Sequence, residues 1–338
     1  MLKIVVNNEE HIKKFERITW KGGINGTSRT LEVKYLDDNS IAKLGDKAEF
    51  YVDEDKLFTG KVFSVEVSGQ SKIKTFSCYD NSIYLNKNYF VKNFNKKKPS
   101  QILKEICGEL KLEVGNIPED KVDCTYPAIG RSGYQIILNA YTIQHRKDKK
   151  IYSIVSNDGK IEVVEQGSLA DVMLNSEQDI KSSKYGEDIE KMVNQIVIYK
   201  TEKEKQQIVD KVENKEDKEK YGLFQKVMQY DKDRDNINNA KEMLKSVEKT
   251  GNITCLGNTL IQSGYSIGIH EPNTNLVGSF LVKNDTHIWE NDMYYCDVEL
   301  AFENVMDKTE FDEKPKSKES KGTKNKKNKK SKKKAGGK

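Results

Sequence analysis

Strict alternation of apolar and polar residues marks both ends of this 338-residue chain, and it limits the fold more than any single motif. In Phe63–Ser68 (FSVEVS), residues Phe63, Val65 and Val67 fall on one side and Ser64, Glu66 and Ser68 on the other, the period of a half-buried strand. Further along, Tyr294, Cys296, Val298, Leu300 and Phe302 share one face opposite Tyr295, Asp297, Glu299 and Glu303. Similar runs at Arg29–Leu36, Ala48–Val52 and Ile73–Tyr79 are bounded by Gly and Asp, with no helical stretch between them. Strands this short and this closely spaced predict small antiparallel β-barrels or sandwiches. Trp20 and Trp289, each preceded by a β-branched residue, suit the core of such modules.

The period changes at Pro99. Ile102, Leu103, Ile106, Cys107 and Leu110 line one face of an amphipathic helix, with Ser100 as the expected N-cap. A second helix is predicted over about Gly133–Arg146, burying Ile136, Ile137, Ala140, Tyr141 and Ile143. Ile151–Val155 and Lys160–Val164 then flank Asn157-Asp158-Gly159, a strong hairpin signal because Gly tolerates positive φ. Beyond Glu187, Met192–Lys200 reads as a strand and Thr201–Lys220 as a charged, exposed excursion. Ile237, Ala240, Leu244 and Val247 mark a helix expected to stop at Gly251.

The expected fold class is therefore α+β and β-rich. Residues 1–98 and 186–306 form two antiparallel β-barrel modules, 99–185 an α/β module between or around them, and 307–338 a disordered basic tail.

Charge separates the tail from the rest. The formal net charge is +5, yet Lys314–Lys338 holds thirteen Lys and one acid, leaving positions 1–313 at −7. Only the tail invites a polyanion, and its composition cannot bury enough apolar surface to offset the entropy of ordering. With 36 % hydrophobic and 33 % charged residues, no run approaches the roughly 20 apolar residues of a bilayer helix. Met1–Asn7 carries no secretory signal pattern, and the five cysteines show no Cys-x-x-Cys pair, so assembly in a reducing cytoplasm is expected.

Motifs that carry chemistry are missing from the sequence. His11, His145, His270 and His287 belong to no metal-ligand pattern, and Gly22–Gly26 lacks the strand–loop–helix setting of a nucleotide fingerprint. Cys78, Cys107, Cys255 and Cys296 read as small core residues. The acid pairs Asp37/Asp38 and Asp53/Asp55 read as turn residues rather than a glycosidase pair. No cofactor, metal or enzymatic activity is expected.

The order and spacing of several phrases point to a family. They are Ile18–Gly22 (ITWKG), Ser28–Val33 (SRTLEV), Leu57–Phe63 (LFTGKVF), Pro99–Cys107 (PSQILKEIC) and Lys220–Gln225 (KYGLFQ). Gly257-Asn258, Gly264, Leu276–Val282 (LVGSFLV), Asp285–Trp289 (DTHIW) and the strand through Leu300 complete the set. In this the chain resembles the tail hub, or baseplate hub, proteins of contractile phage tails and phage-tail-like particles, especially those of PBSX-like prophages and R-type bacteriocins. The matching positions are Trp20, Arg29, Gly60, Tyr221, Gly222, Gly257, Gly278 and His287, carried over as structural positions.

What the resemblance implies is a homotrimer of two-barrel subunits whose six similar surfaces join a six-fold tail tube to a three-fold spike. The implied partners are the tail tube protein, the central spike and baseplate wedge proteins, with no membrane and with nucleic acid reached only through the basic tail. The alternatives are a peptidoglycan-degrading tail enzyme and nucleic-acid binding by the tail. The Lys-rich end departs from the family pattern. Deleting Lys314–Lys338 is expected to leave the trimer intact in sedimentation analysis; recovery of monomers alone would refute this.

Overall fold

The computed structural model describes residues 1–302 except 13–14, 25, 27, 37–41, 70–71, 203–204 and 233–234. Asp37, Asp38 and the Lys-rich tail therefore lie outside the described residues. The first seven strands are β1 (Leu2–Val6), β2 (Glu9–Ile12), β3 (Phe15–Gly23), β4 (Thr30–Leu36), β5 (Lys47–Val52), β6 (Asp55–Val67) and β7 (Ile73–Asp80). They enclose a core containing Ile18, Trp20, Leu31, Tyr35, Phe50, Phe58 and Phe76.

The alternation of Phe63–Ser68 is interrupted. A register shift in the β6–β7 pairing between Val62 and Ser64 puts an extra residue into the strand, so Val62 is buried and Phe63 is 41 % exposed. Phe63 instead packs edge-on against Tyr79 at 5.2 Å, and Val67 is exposed.

A helical unit follows: α1 (Ile83–Lys87), β8 (Tyr89–Lys97), α2 (Pro99–Glu109), β9 (Cys124–Ser132), α3 (Gly133–Asp148), β10 (Tyr152–Asn157) and β11 (Lys160–Glu165). β8, which the alternation grouped with residues 1–98, pairs with β9 and contributes Phe94 to a core built on Ile102, Ile106, Ile137 and Tyr141. α2 starts two residues earlier than an N-cap at Ser100 implies. Lys98 is the N-cap with Pro99 just inside, and Ser100 donates through its backbone N–H and hydroxyl to Asp120 at 2.9 and 2.6 Å. Asn157 and Lys160 close the predicted hairpin, with Asp158 and Gly159 both at positive φ.

The remaining elements are β12 (Leu169–Asn175), β13 (Ile180–Asp188), β14 (Gln195–Glu202), β15 (Lys205–Glu213), α4 (Lys215–Tyr221), β16 (Gln225–Gln229), α5 (Asn236–Met243), β17 (Glu248–Leu256), β18 (Ser266–Glu271), β19 (Leu276–Glu290) and β20 (Met293–Ala301). The charged excursion is a strand hairpin and a short helix: β14 pairs with β15 and β16, and α5 covers one face through Ala240. Leu244 ends α5 in extended backbone, and Gly251, far from capping that helix, is a strand residue opposite Leu300. β12, β13 and β17–β20 enclose a further core of Ile253, Cys255, Ile267, Val282, Cys296 and Val298.

The two β units form one sheet in the order β13-β17-β20-β19-β3-β4-β7-β6-β5-β1-β2, with β18 on β19 and β12 on β18. Neither expected barrel closes among the described residues. The reason is that β3, at the margin of the first unit, gives its open side to β19 of the second, from Arg17↔Glu290 to Gly23↔Asn284. β19 is the shared strand: its first half pairs with β18 and its second half with β3.

Phe76 is completely buried and Phe63 is not. Phe76→Ala is expected to cost about 3–5 kcal/mol in urea unfolding, because it opens a cavity, whereas Phe63→Ala costs well under half as much.

Candidate functional site

The strand period places Asp285, His287 and Trp289 on one face of β19, and the pairing sets His287 opposite Trp20 and Asp285 opposite Gly22 of β3. That face is buried: Asp285 and His287 are both 0 % exposed. A buried carboxylate needs a cation, and Arg29 supplies it from the segment leading into β4. Its guanidinium grips Asp285 through both terminal nitrogens, Nη1 to Oδ1 at 3.2 Å and Nη2 to Oδ2. The same guanidinium lies over the Trp20 ring, 3.9 Å from its centroid. Gly22 makes room for it, since a Cβ there would stand 2.5 Å from Nη1.

Each end of this arrangement is fastened to a different part of the sheet. The Arg29 backbone N–H donates to Asp80 of β7 at 2.9 Å, and Asp80 also accepts from Ser82. The backbone N–H of Ser263 donates to Asp285 at 2.7 Å. His287 Nε2 donates to the Ile261 carbonyl at 2.9 Å and lies 3.3 Å from Asp285. On the other side of the ring, Nδ1 is 2.8 Å from the Tyr294 hydroxyl and 3.1 Å from Cys296 Sγ.

The electrostatics follow from burial and pairing. Burial alone would push the Asp285 carboxyl up, but the Arg29 guanidinium and then His287 hold it well below the usual carboxylate range. Burial opposes charge on His287, yet its bonds to Asp285 and Cys296 outweigh that and hold its pKa at about 9. The Cys296 thiol is pulled down by the bond from Cys255 and by His287, against burial. Asp80, with less compensation, is pushed up to about 6 by burial. Moving a proton from Cys296 to His287 leaves the pair's proton count unchanged, so the pair adds no pH slope to stability between about 6.5 and 8.5.

Cys296, His287 and Asp285 thus stand in the order of a thiol hydrolase, but all three are 0 % exposed and offer no approach for a substrate carbonyl. Among the described residues, no group of three or more His, Cys, Asp or Glu is arranged to hold a metal.

Of the positions singled out from the sequence, Trp20, Arg29 and His287 meet in this cluster. Gly60 sits opposite Asp80, where a side chain would strike the Tyr79 carbonyl. Gly257 lies against the Tyr294 ring and donates to its carbonyl at 2.9 Å. Gly278 is at the far end of β19, opposite Ile269, and Tyr221 and Gly222 end α4 in the excursion; none of these three touches the cluster. Asp80 carries no signal in the sequence, Asp285 enters only within the DTHIW phrase, and Tyr294 and Cys296 only as residues of an alternating strand face. Asp285 was legible in principle, because Asp-x-His-x-Trp on an alternating strand puts all three side chains on one face.

The family model described as YQBQ-like matches residues 18–301, from the start of β3's buried stretch to the end of β20. The chain belongs to the YQBQ-like family. The phage-like element PBSX protein XkdQ of Bacillus subtilis is 23 % identical over 295 residues, covering 80 % of this chain and 89 % of that protein. Among solved structures, the 43 kDa tail protein of prophage MuSo2 from Shewanella oneidensis superposes with a TM-score of 0.72 at 11 % identity, covering 90 % of this chain and 99 % of that one. A tail protein from Neisseria meningitidis gives 0.67 at 13 % identity over 88 % and 95 %. An Escherichia coli type VI secretion component gives 0.57 at 10 % over 91 % and 79 %. At these identities, the fold is what is shared.

Asp285→Asn would leave Arg29 buried without a counter-charge, at an expected cost of about 3–5 kcal/mol at pH 7. Because the folded Asp285 pKa lies below its unfolded value, its contribution is present above about pH 4 and lost below it. In urea unfolding the gap between wild type and variant should therefore narrow as the pH falls below about 4; a constant gap would contradict the assignment.

Proposed function

We propose that the chain is a structural part of a contractile phage tail or phage-tail-like particle, acting as the hub between tube and spike. The observation that carries this reading is the fold shared over 90 % of the chain with the Shewanella prophage tail protein, together with membership of the YQBQ-like family. The polar cluster supports it in physical terms. A part that transmits load needs its β units locked in register, and a sealed, bidentate ion pair does this without any reactive surface. The shielded Cys296 thiol has no catalytic role in this reading.

The hub would be a homotrimer, contacting tail tube, spike and wedge proteins, assembled in the bacterial cytoplasm and carried in the finished particle. Free strand edges support such contacts. Among the described residues β12 pairs only with β18, and β15 only with β14. β12 carries exposed Leu169 and Met173, and β15 carries exposed Ile208, so each edge has apolar area to bury against a neighbour. Six equivalent surfaces on a three-fold ring follow if the two β units of each subunit present similar faces.

Electron microscopy of the purified full-length chain tests the reading. A three-fold ring with a central opening is expected, and particles confined to monomers or two-fold dimers would overturn it.

A further inference from the structure

Two of the five cysteines face each other across strands. β17 and β20 run antiparallel with Cys255 directly opposite Cys296. Directly opposed residues share a face, with Cα atoms about 4.5–5.5 Å apart, inside the range of roughly 4.4–6.8 Å that a disulfide spans. Both are free thiols in the core enclosed by β12, β13 and β17–β20. The Cys296 sulfur lies 3.1 Å from His287 Nδ1, which is itself backed by Asp285 at 3.3 Å.

The other three cysteines differ. Burial pushes the Cys107 and Cys124 thiols up to about 12 and raises Cys78 as well; near Cys124 the Lys98 cation is outweighed by burial, Asp120 and Asp123. The loop after β17 covers the pair, with the Asn258 carbonyl 4.0 Å from Cys296 Sγ. Ile261 accepts from His287, while Leu260, Gln262 and Ser263 of the same loop line a cavity of about 380 Å³ that also touches Arg29. A molecule the size of hydrogen peroxide entering that cavity is one loop away from the sulfur.

We propose that Cys255 and Cys296 form a reversible cross-strand disulfide, with Cys296 as the attacking thiolate, His287 as its base and a hydroperoxide as the oxidant. The Cys296 sulfur attacks one oxygen of hydrogen peroxide; an S–O bond forms, the O–O bond breaks, and the departing hydroxide takes the proton held by His287 to leave as water. The Cys255 sulfur then attacks Cys296, forming the S–S bond and breaking S–O, and the second hydroxide leaves as water with the Cys255 proton. Two thiols and one peroxide give one disulfide and two waters, with two electrons passing to the peroxide. The product staples β17 to β20 beside the β3–β19 seam and leaves Asp285 as the anion beside His287.

The groups that set the pH behaviour are Asp285 and Tyr294 around His287, Arg29 behind Asp285, and Asp179 and Asp297 near Cys255. The full-length protein is exposed to hydrogen peroxide, alkylated, and digested without reduction for mass spectrometry. A peptide joining Cys255 to Cys296, lighter by two hydrogen atoms and released by dithiothreitol, is the expected product. Its rate of formation should be nearly flat from pH 6 to 8, whereas an ordinary thiol would speed up about tenfold per unit. Cys255→Ser should leave a sulfenic acid at Cys296 that dimedone traps, and His287→Gln should slow the wild-type reaction at least about tenfold at pH 6. Should His287→Gln fail to fold, the wild-type pH profile decides. Free Cys255 and Cys296 after peroxide, linkage to another cysteine, or a rate rising tenfold per unit would overturn the proposal.

Discussion

The ion pair between Arg29 and Asp285 is the interaction on which the remaining architecture depends. A carboxylate with no exposed surface is tolerated only because a bidentate guanidinium neutralises it and backbone and imidazole donors complete its shell. Those donors come from distant parts of the chain. Arg29 belongs to the first β unit and Asp285 to the second, so the bidentate pair joins a cation of one unit to a carboxylate of the other. The pair can be formed only when β3 lies against β19, and Gly22 is the position that keeps the guanidinium's path clear. Around it, Trp20 stacks on the cation, His287 packs 4.8 Å from Trp20, and Tyr294 lies 4.3 Å from Trp289 in a parallel stack.

Local signals in the sequence translated well into local structure. The alternation from Tyr294 to Leu300 became β20 with Cys296, Val298 and Leu300 buried, and Asn157-Asp158-Gly159 became a hairpin turn. The helical period beyond Pro99 became α2, which starts at Pro99 with Gln101 reaching back to the Lys98 N–H, while Ser100 bonds Asp120 twenty residues away. Failures occurred where a residue's partner is distant. Nothing local tells β3 that its neighbour is more than 250 residues downstream, and two barrels were therefore the natural expectation. The inserted residue at Phe63 breaks an alternating run, leaving Val62 and Val65 toward the core and Phe63 exposed, because registry with β7 decides the matter. Gly251 looked like a helix stop only because strand Gly and cap Gly are the same letter; its neighbour Phe302 leaves no space for a Cβ. The Thr201–Lys220 excursion is exposed, as its charge implies, but its strand content is not legible, because an exposed hairpin can be charged along both strands.

The candidate site was half legible. Trp20, Arg29 and His287 came forward through family resemblance, and geometry explains what joins them. Asp285 stands in the DTHIW phrase, but only His287 of that phrase is carried over as a position, and burial is what separates Asp285 from turn aspartates. The net −7 of positions 1–313 hides the fact that its most consequential acid is fully neutralised inside the protein. A chain whose most elaborate polar constellation is sealed is built to hold a shape, in keeping with a tail component. Within the same core, Cys296 faces Cys255 across β17 and β20 and lies 3.1 Å from His287 Nδ1.

Hydrogen exchange read by mass spectrometry tests most directly whether the seam makes one body of two β units. If Arg29 and Asp285 lock β3 to β19, the amides of Phe15–Gly23 and Asn284–Glu290 exchange together at the slowest rate in the sheet, and Asp285→Asn accelerates both segments alike. Fast exchange in Phe15–Gly23 while Asn284–Glu290 stays protected would contradict the account, because the two units would then open independently.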